Sequence, residues 1–127
     1  EIVKKPKRDT EQTIDPGELS AVLLNLFDNA IYWVSRKDIT LRQMAVRVTH
    51  QPNKARVVIR IDDSGTGVDE ADQERIFWPG VTAKTNGIGM GLTIAGEIIS
   101  AHGGELQLVH PGYLGGASFQ FDLPTSN

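Results

Sequence analysis

The longest regular pattern in the sequence is helical, and it constrains the fold more than any other feature. Leu19, Val22, Leu23, Leu26, Phe27, Ala30 and Val34 recur at intervals of three and four, which puts them on one broad face of an α-helix. Asp15-Pro16 marks the start. Asp15 serves as N-cap, and Pro16 takes the first helical position, where its missing N–H costs nothing. The helix is expected to run to about Ser35. A face that wide has to be covered by another layer.

The covering layer reads as strands. Val57, Ile59 and Ile61 alternate with Val58 and Arg60, the period-2 signature of a strand with one face on a core. Two strands are expected at Met44 to His50 and Ala55 to Ile61, joined by a turn at Gln51-Pro52-Asn53. A short helix is expected near Glu70 to Phe77. A second long helix follows from about Met90 to His102, stopped by Gly103-Gly104. The last two strands are Glu105 to Val109 and Ser118 to Leu123, turned by Pro111-Gly112 and Gly115-Gly116. Close spacing within each pair favours hairpins over crossovers. The expected fold is a two-layer α/β sandwich, with helices on one face of a mixed, mostly antiparallel sheet. Residues 1–14 read as an N-terminal linker or edge strand, 15–124 as one domain and 125–127 as a tail.

A chain of 127 residues suffices for one hydrophobic core. Its net charge of −3 gives no global reason to expect nucleic acid or anionic membrane as a partner. The basic cluster Lys4-Lys5-Pro6-Lys7-Arg8 reads as a solvated tail. There is no cysteine, which excludes disulfides, zinc–thiolate sites and thiol catalysis. No apolar run approaches the ~20 residues of a membrane span. A cytosolic domain is expected, without membrane contact of its own, and a first residue of Glu1 suggests a piece of a longer protein.

Three segments carry chemistry. Asn25, Asn29, Tyr32 and Arg36 fall on one stripe beside the apolar face of the first helix. The two amides are either solvent-facing or neutral oxygen ligands for Mg²⁺ shared with phosphates. Asp63-Ser64-Gly65-Thr66-Gly67 follows a strand. Its glycines permit positive φ and a close backbone approach, and the Asp63 carboxylate can accept a hydrogen bond from an exocyclic amine such as that of adenine. Gly87-Ile88-Gly89-Met90-Gly91-Leu92 leads into the second long helix, where free backbone N–H groups and the helix dipole suit a phosphate. Upstream, Thr82, Lys84 and Thr85 add hydroxyls and a positive charge. This is neither a dinucleotide fingerprint nor a Walker A loop. Singly each segment is weak; in this order they describe a nucleotide pocket.

In that combination the chain resembles the ATP-binding domain of the GHKL superfamily (gyrase, heat-shock chaperone, histidine kinases, MutL), which has a Bergerat-type fold. Asn25-Leu26-Phe27-Asp28-Asn29-Ala30 is similar to the N box and Asp63 to Gly67 to the G1 box. Arg75-Ile76-Phe77-Trp78-Pro79 is similar to the F box, Gly87 to Leu92 to G2, and Gly115-Gly116-Ala117-Ser118-Phe119 to the closing glycine segment. The resemblance implies that Asn29 coordinates Mg²⁺, with Asn25 assisting or touching phosphate. It implies that Asp63 bonds the adenine amine, that Gly65 and Gly67 shape the wall around the base, and that Phe77 anchors the near side of the ATP lid. Gly87, Gly89 and Gly91 would hinge the lid and approach the phosphates, with Leu92 closing that segment. Trp33 stands where kinases of the family often place a tyrosine against adenine, so it either stacks on the base or packs in the core. Three departures stand out. Tyr32 replaces a common basic residue, which leaves Lys84 as the expected phosphate charge and Arg36 as second choice. Ala117 replaces a common threonine. The lid, Trp78 to Gly87, is short, as in nitrogen-regulator-type sensor kinases.

The hydrolytic members of the superfamily use a glutamate one helical turn before the metal-binding asparagine as general base. Here that position is Asn25, which cannot take a proton. The expected function is therefore the catalytic ATP-binding domain of a sensor histidine kinase. Its γ-phosphate would go to a histidine on a separate dimerisation domain and then indirectly to a response regulator. The alternatives are a stand-alone GHKL nucleotide-binding or ATPase module and a serine kinase of the anti-sigma type. None of His50, His102 and His110 lies in an acceptor-helix context.

Overall fold

A computed structural model describes residues 14–36, 38–80 and 91–125. Helix α1 spans Pro16–Val34. The Glu18 N–H donates to Asp15 Oδ2 at 3.0 Å, so the expected N-cap is made. Strand β1 spans Met44–Gln51 and β2 spans Arg56–Asp63. Between them a 3₁₀ turn, Pro52–Lys54, ends on Ala55 in the left-handed region at φ 50°. Ala55 therefore belongs to the turn, and β2 reaches two residues further than its alternation indicates. The segment expected as a short helix is two separate 3₁₀ turns, Glu70–Asp72 and Arg75–Phe77. Its apolar residues, Ile76 and Phe77, are adjacent rather than a helical turn apart, so no continuous helix face exists to bury.

Helix α2 is described over Gly91–Ala101, strand β3 over Leu106–Leu108 and β4 over Ser118–Pro124. The sheet order is β1-β2-β4-β3, and every described pairing is antiparallel. Register sorts the two faces. Val57, Ile59 and Ile61 of β2 stand opposite Leu123, Phe121 and Phe119 of β4, and this face meets the helices. Val22, Leu26 and Ala30 of α1 and Ala95 and Ile99 of α2 close the core over it. Phe121 is completely buried, and burial of such a side chain contributes about 1.5–3 kcal/mol. The other face carries Arg47, Thr49, Arg60 and Gln120, as expected of a two-layer sandwich with one solvated sheet face.

α2 ends in a Schellman motif. Gly104 N–H donates to Ile99 O at 3.0 Å and Gly103 N–H to Ser100 O at 3.1 Å, with Gly103 at φ +79°. A Cβ on Gly103 would meet Pro124 only at ordinary contact distance, 3.7 Å. The cost of a side chain there is therefore almost wholly conformational. Gly103→Ala is expected to destabilise the chain by about 1 kcal/mol, a loss of roughly 3–6 °C in Tm. Thermal unfolding checks this, and an unchanged Tm would mean the motif relaxes without strain.

Candidate functional site

The Asn stripe of α1, the end of β2 and the start of α2 form one continuous site. At its one end, Gly91 lies against Asn25, close enough that a Cβ on Gly91 would sit 3.2 Å from Asn25 Oδ1. Asn29, one turn further on, is 9% exposed, on a helix that buries Val22, Leu26 and Ala30 beside it. No described residue hydrogen-bonds the amide of Asn25 or Asn29. At the other end, Gly65 packs on Trp33, and a Cβ there would come within 2.8 Å of Trp33 Cβ. The two glycines of the loop act differently from their expected shared role. Positive φ occurs at Gly67, +76°, whereas Gly65 is needed for its close approach to α1.

Asp63 is the last residue of β2 and only 2% exposed. Its Oδ1 accepts the Gly65 N–H at 2.9 Å and the Ala117 N–H at 3.3 Å. The backbone is tied to the same segment: Asp63 N–H donates to Ala117 O at 3.0 Å, and Gly116 N–H to Asp63 O at 3.1 Å. Both described side-chain bonds fall on Oδ1, which leaves Oδ2 with no described donor. Burial pushes the Asp63 carboxyl above the ordinary carboxylate range. The Gly65 and Ala117 N–H groups oppose that push, and the nearby charge of Asp62 adds to it.

Trp33 is half-buried and stands edge-on to Tyr32, with ring centres 5.1 Å apart at 89°. It is therefore not one of the buried core residues and stands beside Gly65 at this end of the site. Arg36 donates to Tyr32 Oη at 2.9 Å and lies over both rings. It lies two residues past the end of α1, and nine residues of helix, roughly 13 Å along the axis, run from Asn25 to Val34. Arg36 thus sits at the C-terminal end of α1, beyond Trp33 and away from Asn25.

Phe77 packs edge-on against Phe119, with centres 6.2 Å apart, and its carbonyl accepts the Thr93 hydroxyl at 2.8 Å. The Arg75–Phe77 turn is thereby fastened to α2. Leu92 packs against the core and, with Phe77 and Pro79, lines a cavity of about 510 Å³. A neighbouring cavity of about 590 Å³ follows β3. Neither is lined by Asn25, Asn29 or Asp63. Lys84, Gly87 and Gly89, with Thr82 and Thr85, lie outside the described residues.

A family model described as histidine kinase-, DNA gyrase B-, and HSP90-like ATPase matches residues 14–127. The chain belongs to this family. It is 36% identical over 107 residues to the sensor protein TdiS of Thauera aromatica, covering 84% of this chain and 19% of TdiS. It is 37% identical over 108 residues to the signal transduction histidine-protein kinase AtoS of Escherichia coli strain K12, covering 84% of this chain and 16% of AtoS. Among solved structures, full-length ShkA in complex with AMPPNP matches at 30% identity with a TM-score of 0.72, over 91% of this chain and 23% of ShkA. The chain thus spans less than a fifth of the two curated relatives. As a member of this ATPase family it is an ATP-binding domain of the histidine kinase type. No helix among the described residues is long and apolar enough to cross a membrane.

Sequence reasoning did not find the contacts that hold this ATPase-family site in shape. The Ser64 hydroxyl donates to Leu41 O at 2.6 Å and accepts the Gln43 N–H at 2.7 Å, which fixes the strand entry behind the loop. Thr93 fastens Phe77, and Ala117 fastens Asp63. Ser64 lies inside the motif and so could have been singled out. Thr93 carries no local mark, and Ala117 was marked only as the replacement of a common threonine, not as a donor to Asp63.

Proposed function

We propose that this chain is the ATP-binding catalytic domain of a two-component sensor histidine kinase. In that role it transfers the ATP γ-phosphate to a histidine carried on another, dimerising domain, and a response regulator takes the phosphate from there. The observation that carries the reading is Asn25. It occupies the position one turn before Asn29, and its amide oxygen faces Gly91. A side chain that cannot accept a proton therefore stands where a hydrolytic site needs its base. Glu18 is exposed and seven residues from Asn25, roughly 10 Å along the helix, and Asp28 points about 100° away from Asn29. A kinase needs no such base, because the acceptor imidazole arrives with its own acid. Phosphoryl transfer then asks for position and charge stabilisation.

In this reading Asp63 Oδ2 accepts the adenine amine, Trp33 walls the base, and Asn25 and Asn29 face the phosphates, with Lys84, Gly87 and Gly89 serving the lid. Two neutral amide oxygens one turn apart fit Mg²⁺, which keeps waters and phosphate oxygens as its other ligands. Asn29 and Asn25 would hold it, and when bound it supplies charge neutralisation on the triphosphate. A cytoplasmic location follows from the supply of ATP. The test is radiolabelled ATP with and without an acceptor-helix domain supplied in trans. The expected result is acid-labile, base-stable label on the partner, none on this chain, and slow hydrolysis by this chain alone. Brisk hydrolysis without a partner would replace the kinase with an ATPase.

A further inference from the structure

On the solvated face of the sheet, one carboxylate has no contact with water. Asp62 is 0% exposed and lies opposite Ala45 and Ser118, which are also buried, whereas Arg60 and Gln120 further along that face are not. Strand alternation points Asp63 toward the helices and Asp62 the opposite way. The segment between β3 and β4 covers it. Tyr113 N–H donates to Asp62 Oδ1 at 3.4 Å, Arg47 donates to Oδ2 at 3.4 Å, and the Arg47 guanidinium lies 4.7 Å from the centre of the Tyr113 ring. Burying an ionised carboxylate is unfavourable even when it is paired. Solvation of a sheet face does not call for such a group.

The covering segment runs on to the base site. Gly112 lies so close to the Gly116 carbonyl that a Cβ would collide with it, and Gly116 stands in the same relation to Asp63 O and Oδ1. Ala117 N–H then reaches Asp63 Oδ1. Adjacent residues on opposite faces of β2, Asp62 and Asp63, therefore hold the two ends of one segment.

We propose that Asp62, Arg47 and Tyr113 form a positioning unit that sets the Gly116–Ala117 wall of the base site from behind the sheet and so sharpens the choice of a purine bearing a 6-amino group. The proposal deepens the reading of Asp63 as the base acceptor and rests on it. The Ala117 bond to Oδ1 is the longer of two at 3.3 Å. A displacement of a few tenths of an ångström would release it, turn the carboxylate about its Gly65 bond and move Oδ2. Arg47 also offsets the Asp62 charge that lies next to Asp63.

The experiment measures calorimetric affinities of the 127-residue chain for ATP and for purine riboside triphosphate, which lacks the amine, and amide exchange at Ala117. Arg47→Ala and Tyr113→Ala are expected to weaken ATP about 5- to 10-fold, the order of one hydrogen bond. Purine riboside triphosphate should change less than about 2-fold, Ala117 exchange should quicken, and the conservative Tyr113→Phe should restore the ratio. Tyr113 is 67% exposed, so its truncation keeps the test available if Arg47→Ala does not fold. Asp63→Asn separates the two levels of the argument. If it collapses the ratio while Arg47→Ala and Tyr113→Ala leave the ratio and Ala117 exchange at parent values, the positioning unit is overturned and the base reading stands. An equal loss for both nucleotides in those two variants also overturns it. If Asp63→Asn keeps the parent ratio, the base reading fails and the positioning unit fails with it.

Discussion

Asparagine at position 63 is expected to weaken ATP about 100-fold and, at neutral pH, to raise the Tm of the nucleotide-free chain. Both described N–H bonds to the side chain end on Oδ1. An amide can keep its oxygen there, so the loop survives the substitution. Its NH₂ group then points where the adenine amine would donate, and two donors face each other. Losing a bond to a charged group and leaving a donor unpaired together cost about 3 kcal/mol, which is the 100-fold. The stability change has the opposite sign. The Asp63 carboxyl is raised because burial outweighs the two N–H bonds, so the fold prefers the neutral form. With the folded pKa above the unfolded one, the native state holds more protons between the two values. Stability of the parent therefore falls as pH rises through that window and stays reduced above it. Asparagine has no such slope. The Tm gain should be present at pH 7 and vanish below the ordinary carboxylate range. Thermal scans across that range and a titration with ATP check both parts. A lower Tm at pH 7 would show that the N–H bonds outweigh burial, and parent-like ATP affinity would remove Asp63 from the base site.

What was legible beforehand follows from how far the determining contacts reach along the chain. α1 was readable to within a residue because its cap, its proline and its apolar stripe are local signals. Asn25, Asn29, Asp63 and Gly91 were legible for the same reason, since short spacings place each on an element whose period is known. The 3₁₀ turns near Phe77 were not, because the choice between them and a helix rests on packing against Phe119 and α2. The supports of the site were hidden by distance in sequence. Thr93 reaches back 16 residues to Phe77, Tyr113 reaches 51 to Asp62, and Ala117 reaches 54 to Asp63. Only the sheet order β1-β2-β4-β3 brings the last two together. The position of Arg36 beyond the end of α1, with its guanidinium on Tyr32, was not legible either, because the stripe alone does not fix where the helix stops.

Asn29→Ala is expected to cut phosphoryl transfer to an acceptor domain by about 1000-fold while the chain melts no lower than the parent. The site of substitution argues for both halves. Asn29 is 9% exposed among Val22, Leu26 and Ala30, in the interior of α1. Alanine is the best helix former, and the Asn29 amide makes no described hydrogen bond that the substitution would forfeit. Stability alone would therefore place alanine there. On the proposed function, an amide at this position is there for its oxygen to meet metal and phosphate when Mg²⁺–ATP is bound. A preorganised polar group that meets developing charge is worth about 10²–10³ in rate, and a metal ligand stands at the upper end of that range because its loss also displaces the ion. Adenine recognition, which the proposed function gives to Asp63 at the end of β2, should be unaffected. ADP affinity measured in EDTA should then equal the parent's, while the Mg²⁺-dependent gain in ATP affinity disappears. Transfer rates at saturating Mg²⁺–ATP, the two affinities and a melting curve on the same sample check the argument together. Full transfer by Asn29→Ala would remove the metal role, and a Tm several degrees lower would mean the amide is instead a structural part of the helix packing.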